Sequence, residues 1–230
     1  MIWLGEHEDP EWFPPIEQAL AEPPGLLAAG GDLRPERLLA AYQRGVFPWY
    51  SAQQPILWWS PDPRMVLFPE EFRVTRSLGK RLRNGPYQTR LDGAFSATIR
   101  ACAAPRRGGP DTWLNAEMIA SYERLHALGH AHSVETYRGD ALVGGLYGIH
   151  LGGVFFGESM FSAERDASKV ALARLVGECR GRGIRLIDCQ VASSHLASLG
   201  AREIPRVEFA ALLRRHATRA PSGPWREPPG

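Results

Sequence analysis

No stretch of this 230-residue chain approaches the roughly 20 successive apolar residues that a membrane-spanning helix needs, so no membrane span is expected. The first residues, Met1-Ile2-Trp3-Leu4-Gly5-Glu6-His7-Glu8-Asp9, bring acids and no basic region ahead of an apolar run. They do not read as a secretory signal, and a cytoplasmic protein is expected. Cysteine is scarce. Cys102, Cys179 and Cys189 are odd in number and widely spaced, which argues against a disulfide framework, and no pair has C-x-x-C spacing. Histidine makes no metal signature: His126, His130 and His132 lie close together, but no cysteine or acid cluster joins them and H-E-x-x-H is absent. No metal is expected. Phosphate loops are missing too, since Gly30-Gly31-Asp32 and Gly144-Gly145 match neither GxxxxGK[ST] nor G-x-G-x-x-G.

What is present is ordinary in bulk and uneven in detail. A hydrophobic fraction of 44% and a charged fraction of 23% suit a globular chain with one large domain or two small ones. The net charge is only +2. Between Arg73 and Arg107, however, nine cations face a single acid, Asp92, a net of +8 that leaves the rest of the chain at −6. Such a segment either meets an anionic partner, because each phosphate contact needs a cation, or is a solvated helix face balanced by acids elsewhere.

Eleven of the 19 prolines and five of the seven tryptophans fall within residues 1–70. Proline at that density limits elements to short pieces. A helix is expected over 35–44, with Pro35 in its first turn and Gly45 ending it, and a second over 16–21. Residues 56–59 and 65–68 read as short strands. Helices are then expected over 77–82, 95–104 and 116–128. From His132 the pattern becomes a meander of strands over 133–137, 141–149 and 153–157, with a turn at Arg138-Gly139-Asp140. A helix over 167–179, capped by Asp166 or Ser168, leads to a strand over 184–191. A helix over 207–216 follows, and the end from Pro221 reads as a loose tail. The expected organisation is α+β: a small N-terminal domain over 1–70, then 71–220. The second part carries the strand order of the GNAT-like (acyl-CoA N-acyltransferase-like) fold, an order that many α+β folds share.

Chemistry concentrates in a few places. Asp188 and Gln190 stand two apart on one strand, so period-2 geometry puts them on one face. The amide can donate to the carboxylate and keep its oxygen free to orient a nucleophile, or the pair can simply anchor a loop. Glu158 ends the apolar strand Val154-Phe155-Phe156. It can act as a base, hold a cation or cap the next loop. Trp49, Trp58, Trp59 and Trp113 are either stacking platforms for unpaired bases or core. A coenzyme A enzyme of the GNAT class is expected to carry a Gly-rich turn before its helix. Here Ser162-Ala163-Glu164-Arg165-Asp166-Ala167-Ser168 has no glycine.

Taken in order, these stretches resemble one family: Gly25-Leu26-Leu27-Ala28-Ala29-Gly30-Gly31-Asp32-Leu33, Tyr42-x-x-Gly45-x-Phe47-Pro48-Trp49, Trp58-Trp59-Ser60-Pro61-Asp62-Pro63-Arg64, Gly144-Gly145-x-Tyr147-Gly148, Gly157-Glu158-Ser159-Met160-Phe161-Ser162, Ile187-Asp188-Cys189-Gln190 and His195-x-x-Ser198-Leu199-Gly200-Ala201. The likeness, to the bacterial leucyl/phenylalanyl-tRNA–protein transferases, runs from about Phe13 to Phe209. It implies transfer of Leu, Phe or, less well, Met from aminoacyl-tRNA to proteins with N-terminal Arg or Lys, an N-end rule degradation signal. It implies no coenzyme A and no other cofactor. A monomer is expected. By resemblance Asp188 polarises Gln190, whose oxygen draws a proton from the acceptor amine, and Glu158 joins the active site. Trp49 and Trp113 would hold the tRNA 3′-adenosine. Leu146, Phe155, Leu172, Leu175 and Ile187 would form the aminoacyl side-chain pocket. The family often has Met at the position of Leu146 and Phe at that of Leu175. Arg76, Lys80, Arg81 and Arg83 would bind tRNA phosphates, which needs no base identity.

Overall fold

The computed structural model describes residues 1–6, 8–51, 53–104, 114–218 and 225. Strands β1 (Ile2–Leu4), β2 (Leu26–Gly30), β3 (Phe47–Pro48) and β4 (Leu57–Trp59) make a small sheet in the order β1-β2-β4-β3. Helix α1 (Pro35–Gln43) crosses beside it. Pro35 costs nothing in its first turn, where no intrahelical N–H bond is made. The expected helix over 16–21 shrinks to a 3-10 turn at Ile16–Gln18. Prolines flank it on both sides, and the Leu20 amide donates to the Leu26 carbonyl at 2.8 Å instead of continuing a helix.

The larger sheet holds β5 (Arg64–Leu67), β6 (Tyr87–Leu91), β7 (Ala131–Arg138), β8 (Ala141–Leu151), β9 (Val154–Ser162), β10 (Leu186–Gln190) and β11 (Arg202–Ile204). Its order is β11-β5-β10-β9-β8-β7-β6. The helices are α2 (Arg76–Asn84), α3 (Phe95–Ala103), α4 (Ala116–Ala127), α5 (Ala167–Gly181), α6 (Ser194–Ser198) and α7 (Arg206–His216). β7, β8 and β9 form the antiparallel meander, and β10 returns after α5 to lie parallel to β9. The succession of three strands, a helix and a returning strand is the one read from the sequence. β5 lies before residue 70, yet it pairs with β10 and β11 in the larger sheet.

Period-2 alternation sends side chains to a separate core on each face of that sheet. Tyr147 and Phe156 join α3, α4 and the N-terminal unit, where Leu38, Tyr42 and Trp58 are buried. Leu146 and Phe155 pack under α5. The N-terminal unit therefore shares one core with the larger sheet.

Two expectations change here. Asp166 occupies the N-cap position of α5 but has φ +65° and makes no capping bond. Its carboxylate goes to Lys169 at 2.9 Å, and the Ser168 amide is met by Ser162 Oγ of β9 at 3.2 Å. The tail is not loose at Trp225. That ring is buried, stacks on His132 at 4.6 Å and lies under the Arg182 guanidinium at 5.0 Å, while its backbone N–H donates to Asp92 Oδ2 at 2.9 Å.

Candidate functional site

β9 and β10 run side by side in parallel, with Asp188 paired to Phe156. Two residues further along each strand stand Glu158 and Gln190. Both sit where the ladder breaks. Against β8, Tyr147 pairs with Ser159 and Gly148 with Gly157, so Glu158 is the extra residue of a bulge. Against β5, Asp188 pairs with Val66 and Gln190 with Met65, so Cys189 is extra. Gln190 adopts φ +58°, a left-handed conformation that costs a non-glycine residue about 1–2 kcal/mol. Bulges re-aim side chains, and these two re-aim Glu158 and Gln190 into one cleft.

The Gln190 amide therefore leaves the face expected for it. Its Nε2 donates to Glu158 Oε1 at 3.4 Å, and only its backbone N–H reaches Asp188, donating to Oδ1 at 3.0 Å. The Asp188 carboxylate is occupied by Arg64: Nε donates to Oδ1 at 2.8 Å and Nη2 to Oδ2 at 2.6 Å. Both side chains are buried. Arg64 also donates to the Gly45 carbonyl at 3.1 Å and lies between the rings of Phe47 and Phe209, at 4.8 and 4.6 Å. One guanidinium thus ties β5 to β10, the N-terminal unit and α7. Arg64 closes the Trp58–Arg64 motif, but nothing in its local sequence signals this role.

Glu158 has a second set of partners. Tyr122 Oη donates to its Oε2 at 2.8 Å, and the Tyr42 and Tyr122 hydroxyls lie 2.6 Å apart. Burial pushes the Glu158 carboxyl up to about 7, against the Tyr42 and Tyr122 hydroxyls that hold it down. Burial also raises both tyrosines well above their ordinary range, so they remain donors.

The cleft is an open, mainly apolar space of about 520 Å³ lined by Phe47, Pro48, Trp49, Glu158, Gln190 and Val191. A neighbouring cavity of about 830 Å³ shares Phe47, Trp49 and Val191 and adds Trp59 and Pro61. Trp49 stands between them, 46% exposed and braced edge-on by Trp59 at 5.8 Å. Trp59 Nε1 donates to the Trp49 carbonyl at 2.7 Å. Trp58 is core: it is fully buried, packs edge-on against Phe13 and donates to the Gly30 carbonyl. Trp113 lies outside the described residues.

Leu146, Phe155, Leu172, Leu175 and Ile187 are brought together in one buried cluster under α5. None of them lines the cleft of Glu158 and Gln190. Met160 packs on this cluster and also lines an open cavity of about 1330 Å³ beside Cys102 and His195. In α2, Thr75 caps the first turn by accepting from the Leu78 amide. Arg76, Lys80 and Arg83, at i, i+4 and i+7, line an open basic groove of about 1150 Å³. Arg81 points elsewhere, over the Tyr87 ring at 5.6 Å. Arg90 lies over Tyr137 and Arg100 pairs with Glu123, so part of the +8 is used internally. Arg106 and Arg107 lie outside the described residues. Among the described residues there is no helix long and apolar enough to cross a membrane and no group of three or more potential metal ligands.

A family model described as leucyl/phenylalanyl-tRNA protein transferase matches residues 66–214, and one for its N-terminal domain matches residues 31–62. A leucyl/phenylalanyl-tRNA–protein transferase of Thiobacillus denitrificans is 60% identical over 202 residues, covering 88% of this chain and 89% of its own. One of Stutzerimonas stutzeri is 55% identical over 226 residues, covering 98% of this chain and 99% of its own. Among solved structures, a GCN5-related N-acetyltransferase from Kribbella flavida overlaps 83% of this chain and 68% of its own at 12% identity and a TM-score of 0.40, too remote to bear on the chemistry. At these identities and coverages, the chain belongs to the leucyl/phenylalanyl-tRNA–protein transferase family.

Proposed function

We propose that this chain transfers Leu or Phe, and Met less well, from aminoacyl-tRNA to the α-amino group of proteins that begin with Arg or Lys. The product is an N-end rule degradation signal made in the cytoplasm by a monomer. One observation carries the local reading: Glu158 and Gln190 converge in an apolar cleft walled by the exposed, braced Trp49. The aminoacyl ester is already activated, so the enzyme has mainly to align an amine and manage its protons. Because the Gln190 NH2 donates to Glu158, its amide oxygen is left to accept from the incoming amine. Asp188, held by Arg64, fixes the bulge that presents Gln190.

Trp49 offers a face on which the terminal adenosine stacks, with Trp113 as its partner. The apolar cluster of Leu146, Phe155, Leu172, Leu175 and Ile187 receives the aminoacyl side chain, with Met160 joining it to open space. Aliphatic walls exclude polar side chains but separate similar apolar ones poorly, so several amino acids are accepted. No cofactor or metal takes part in this reaction. Incubation with labelled Leu-, Phe- and Met-tRNA and an Arg-N-terminal peptide tests it. Label on the peptide α-amine is expected, while label arriving only from acetyl-CoA overturns it. So does tRNA binding with no transfer at all.

The groove of Arg76, Lys80 and Arg83 is placed on the acceptor-stem phosphates, with Arg81 contributing from the edge. Lys80→Ala and Arg76→Ala are each expected to weaken tRNA binding and to flatten the log Kd against log[salt] slope by about one unit. Arg81→Ala, already engaged with Tyr87, is expected to change the slope less. Filter binding across a salt series checks this, and slopes unaltered in all three variants would move the tRNA to another face.

A further inference from the structure

We propose that Glu158 takes the proton from the attacking α-ammonium group, and that Tyr122 and Tyr42 are positioning residues that hold its carboxylate in place. This rests on the transfer reaction proposed above. It departs from a role for the Gln190 oxygen as the proton acceptor.

Geometry makes the case. Glu158 is the carboxylate that lines the cleft; Asp188 is buried with both oxygens on Arg64. A neutral amide binds protons too weakly to serve, so Gln190 is left with alignment. Tyr122 has a single hydroxyl proton and gives it to Glu158 Oε2, so at 2.6 Å it accepts from Tyr42. The order is Tyr42 to Tyr122 to Glu158 Oε2, while Gln190 Nε2 holds Oε1. The carboxylate is held from α4 and β10, with Tyr42 of α1 behind Tyr122, and its bulge in β9 turns it to the cleft.

The charged and titratable groups that face Glu158 are Tyr42 on α1, Tyr122 on α4, Tyr147 on β8, Asp188 on β10 and Arg64 on β5. Burial leads and lifts the carboxyl to about 7, Asp188 adds to the rise, and Arg64 and the two tyrosines oppose it. An α-ammonium group has an ordinary pKa of about 8, so proton transfer between the two is nearly balanced.

The protons are conserved through the step. The α-ammonium gives one proton to the Glu158 carboxylate, and the free amine forms a C–N bond to the ester carbonyl carbon. The C–O bond to the tRNA 3′-oxygen then breaks, and the Glu158 carboxyl returns its proton to that oxygen. The new N-protonated amide releases a second proton through the carboxylate to water. One proton stays on the amide nitrogen.

The test combines infrared titration of the whole protein with transfer kinetics at saturating acceptor peptide. The Glu158 carboxyl band, assigned by its loss in Glu158→Gln, is expected to titrate near pH 7. Removing a donor to the carboxylate raises its pKa, so Tyr122→Phe is expected to move the midpoint up by about one pH unit, and Tyr42→Phe by less. At about pH 7.5 transfer by Tyr122→Phe then falls about threefold and recovers as the pH rises, because the ionised fraction is restored. Glu158→Gln is expected to lose about 10²–10⁴-fold at every pH. A midpoint unmoved in both tyrosine variants overturns the positioning role, and near-wild-type transfer by Glu158→Gln overturns the proton transfer. Absence of transfer by the unaltered protein would instead defeat the reaction proposed above, with the titration still readable.

Discussion

Asp188→Ala is expected to lower folding stability by about 3–5 kcal/mol, because it strands the Arg64 guanidinium in the protein interior. The two side chains are buried and joined by two hydrogen bonds of 2.8 and 2.6 Å. Without the carboxylate, the guanidinium keeps only the Gly45 carbonyl and the faces of Phe47 and Phe209. For a chain of this size the loss corresponds to a fall of about 10 °C in Tm. Arg64→Ala is expected to do comparable harm, since it leaves the buried carboxylate with only the Gln190 backbone N–H. The combined variant Arg64→Met with Asp188→Leu removes both charges and is expected to recover most of the loss, as apolar replacements of buried ion pairs do. Denaturant unfolding of the three variants measures this. The same double variant separates support from chemistry. If Asp188 only fixes the bulge through its bond to the Gln190 amide, the refolded variant keeps transfer within about tenfold, the worth of one such bond. Full stability with no transfer would return a direct chemical role to Asp188.

The legible part of the molecule was the part that repeats. In the meander β7–β9, residues 133–137 alternate and turns separate the strands, α5 carries apolar residues at helical spacing, and β10 follows it with Leu186 and Ile187. Those signals gave the succession of three strands, a helix and a returning strand, but not the places of β5, β6 and β11 in the larger sheet. Strand β2, Leu-Leu-Ala-Ala-Gly, escaped notice because it is buried along its whole length and so shows no alternation, and Ala and Gly are weak strand formers. Strand β6, Tyr-Gln-Thr-Arg-Leu, is an edge strand of which only Leu91 is buried, and its apolar content is too low to register. At the site, the ordered motifs pointed to Glu158, Asp188 and Gln190. Their partners were hidden for two reasons. Period-2 reasoning assumes an unbroken strand, and both Glu158 and Gln190 sit at breaks. Arg64 and Asp188 are 124 positions apart, and Tyr122 lies 36 from Glu158, so only the fold brings them together. Tyr42 opens the Tyr42–Trp49 motif, which carries no local sign of its hydrogen bond to Tyr122. Trp225 shows the same limit at the tail, where a Pro- and Gly-rich composition concealed a ring that fills a core.

Gln190→Ala is expected to reduce transfer by about 10²–10³-fold, the scale of losing one pre-aligned polar group at a reacting centre. Stability and tRNA affinity should stay near those of the unaltered protein. The side chain is only partly buried, and neither Trp49 nor the groove of Arg76, Lys80 and Arg83 depends on it. Gln190→Gly sharpens the case. At φ +58° a glutamine is strained and a glycine is not, so this variant is expected to be about 1 kcal/mol more stable than the unaltered protein while losing as much transfer. A residue kept for packing would show the opposite, stability falling together with activity. The substitution also removes the Nε2 donor from Glu158 Oε1, and an acid that loses a donor to its charged form titrates higher. The acid limb of the pH–rate profile should therefore move up in both variants, beyond the overall loss of rate. Melting curves, tRNA binding isotherms and pH–rate profiles on the two variants decide the matter. Parallel loss of stability and transfer would make Gln190 a structural residue. Transfer that survives in Gln190→Gly would mean that the amine is aligned by its own substrate contacts, with the strained backbone at the end of β10 serving only to shape the cleft.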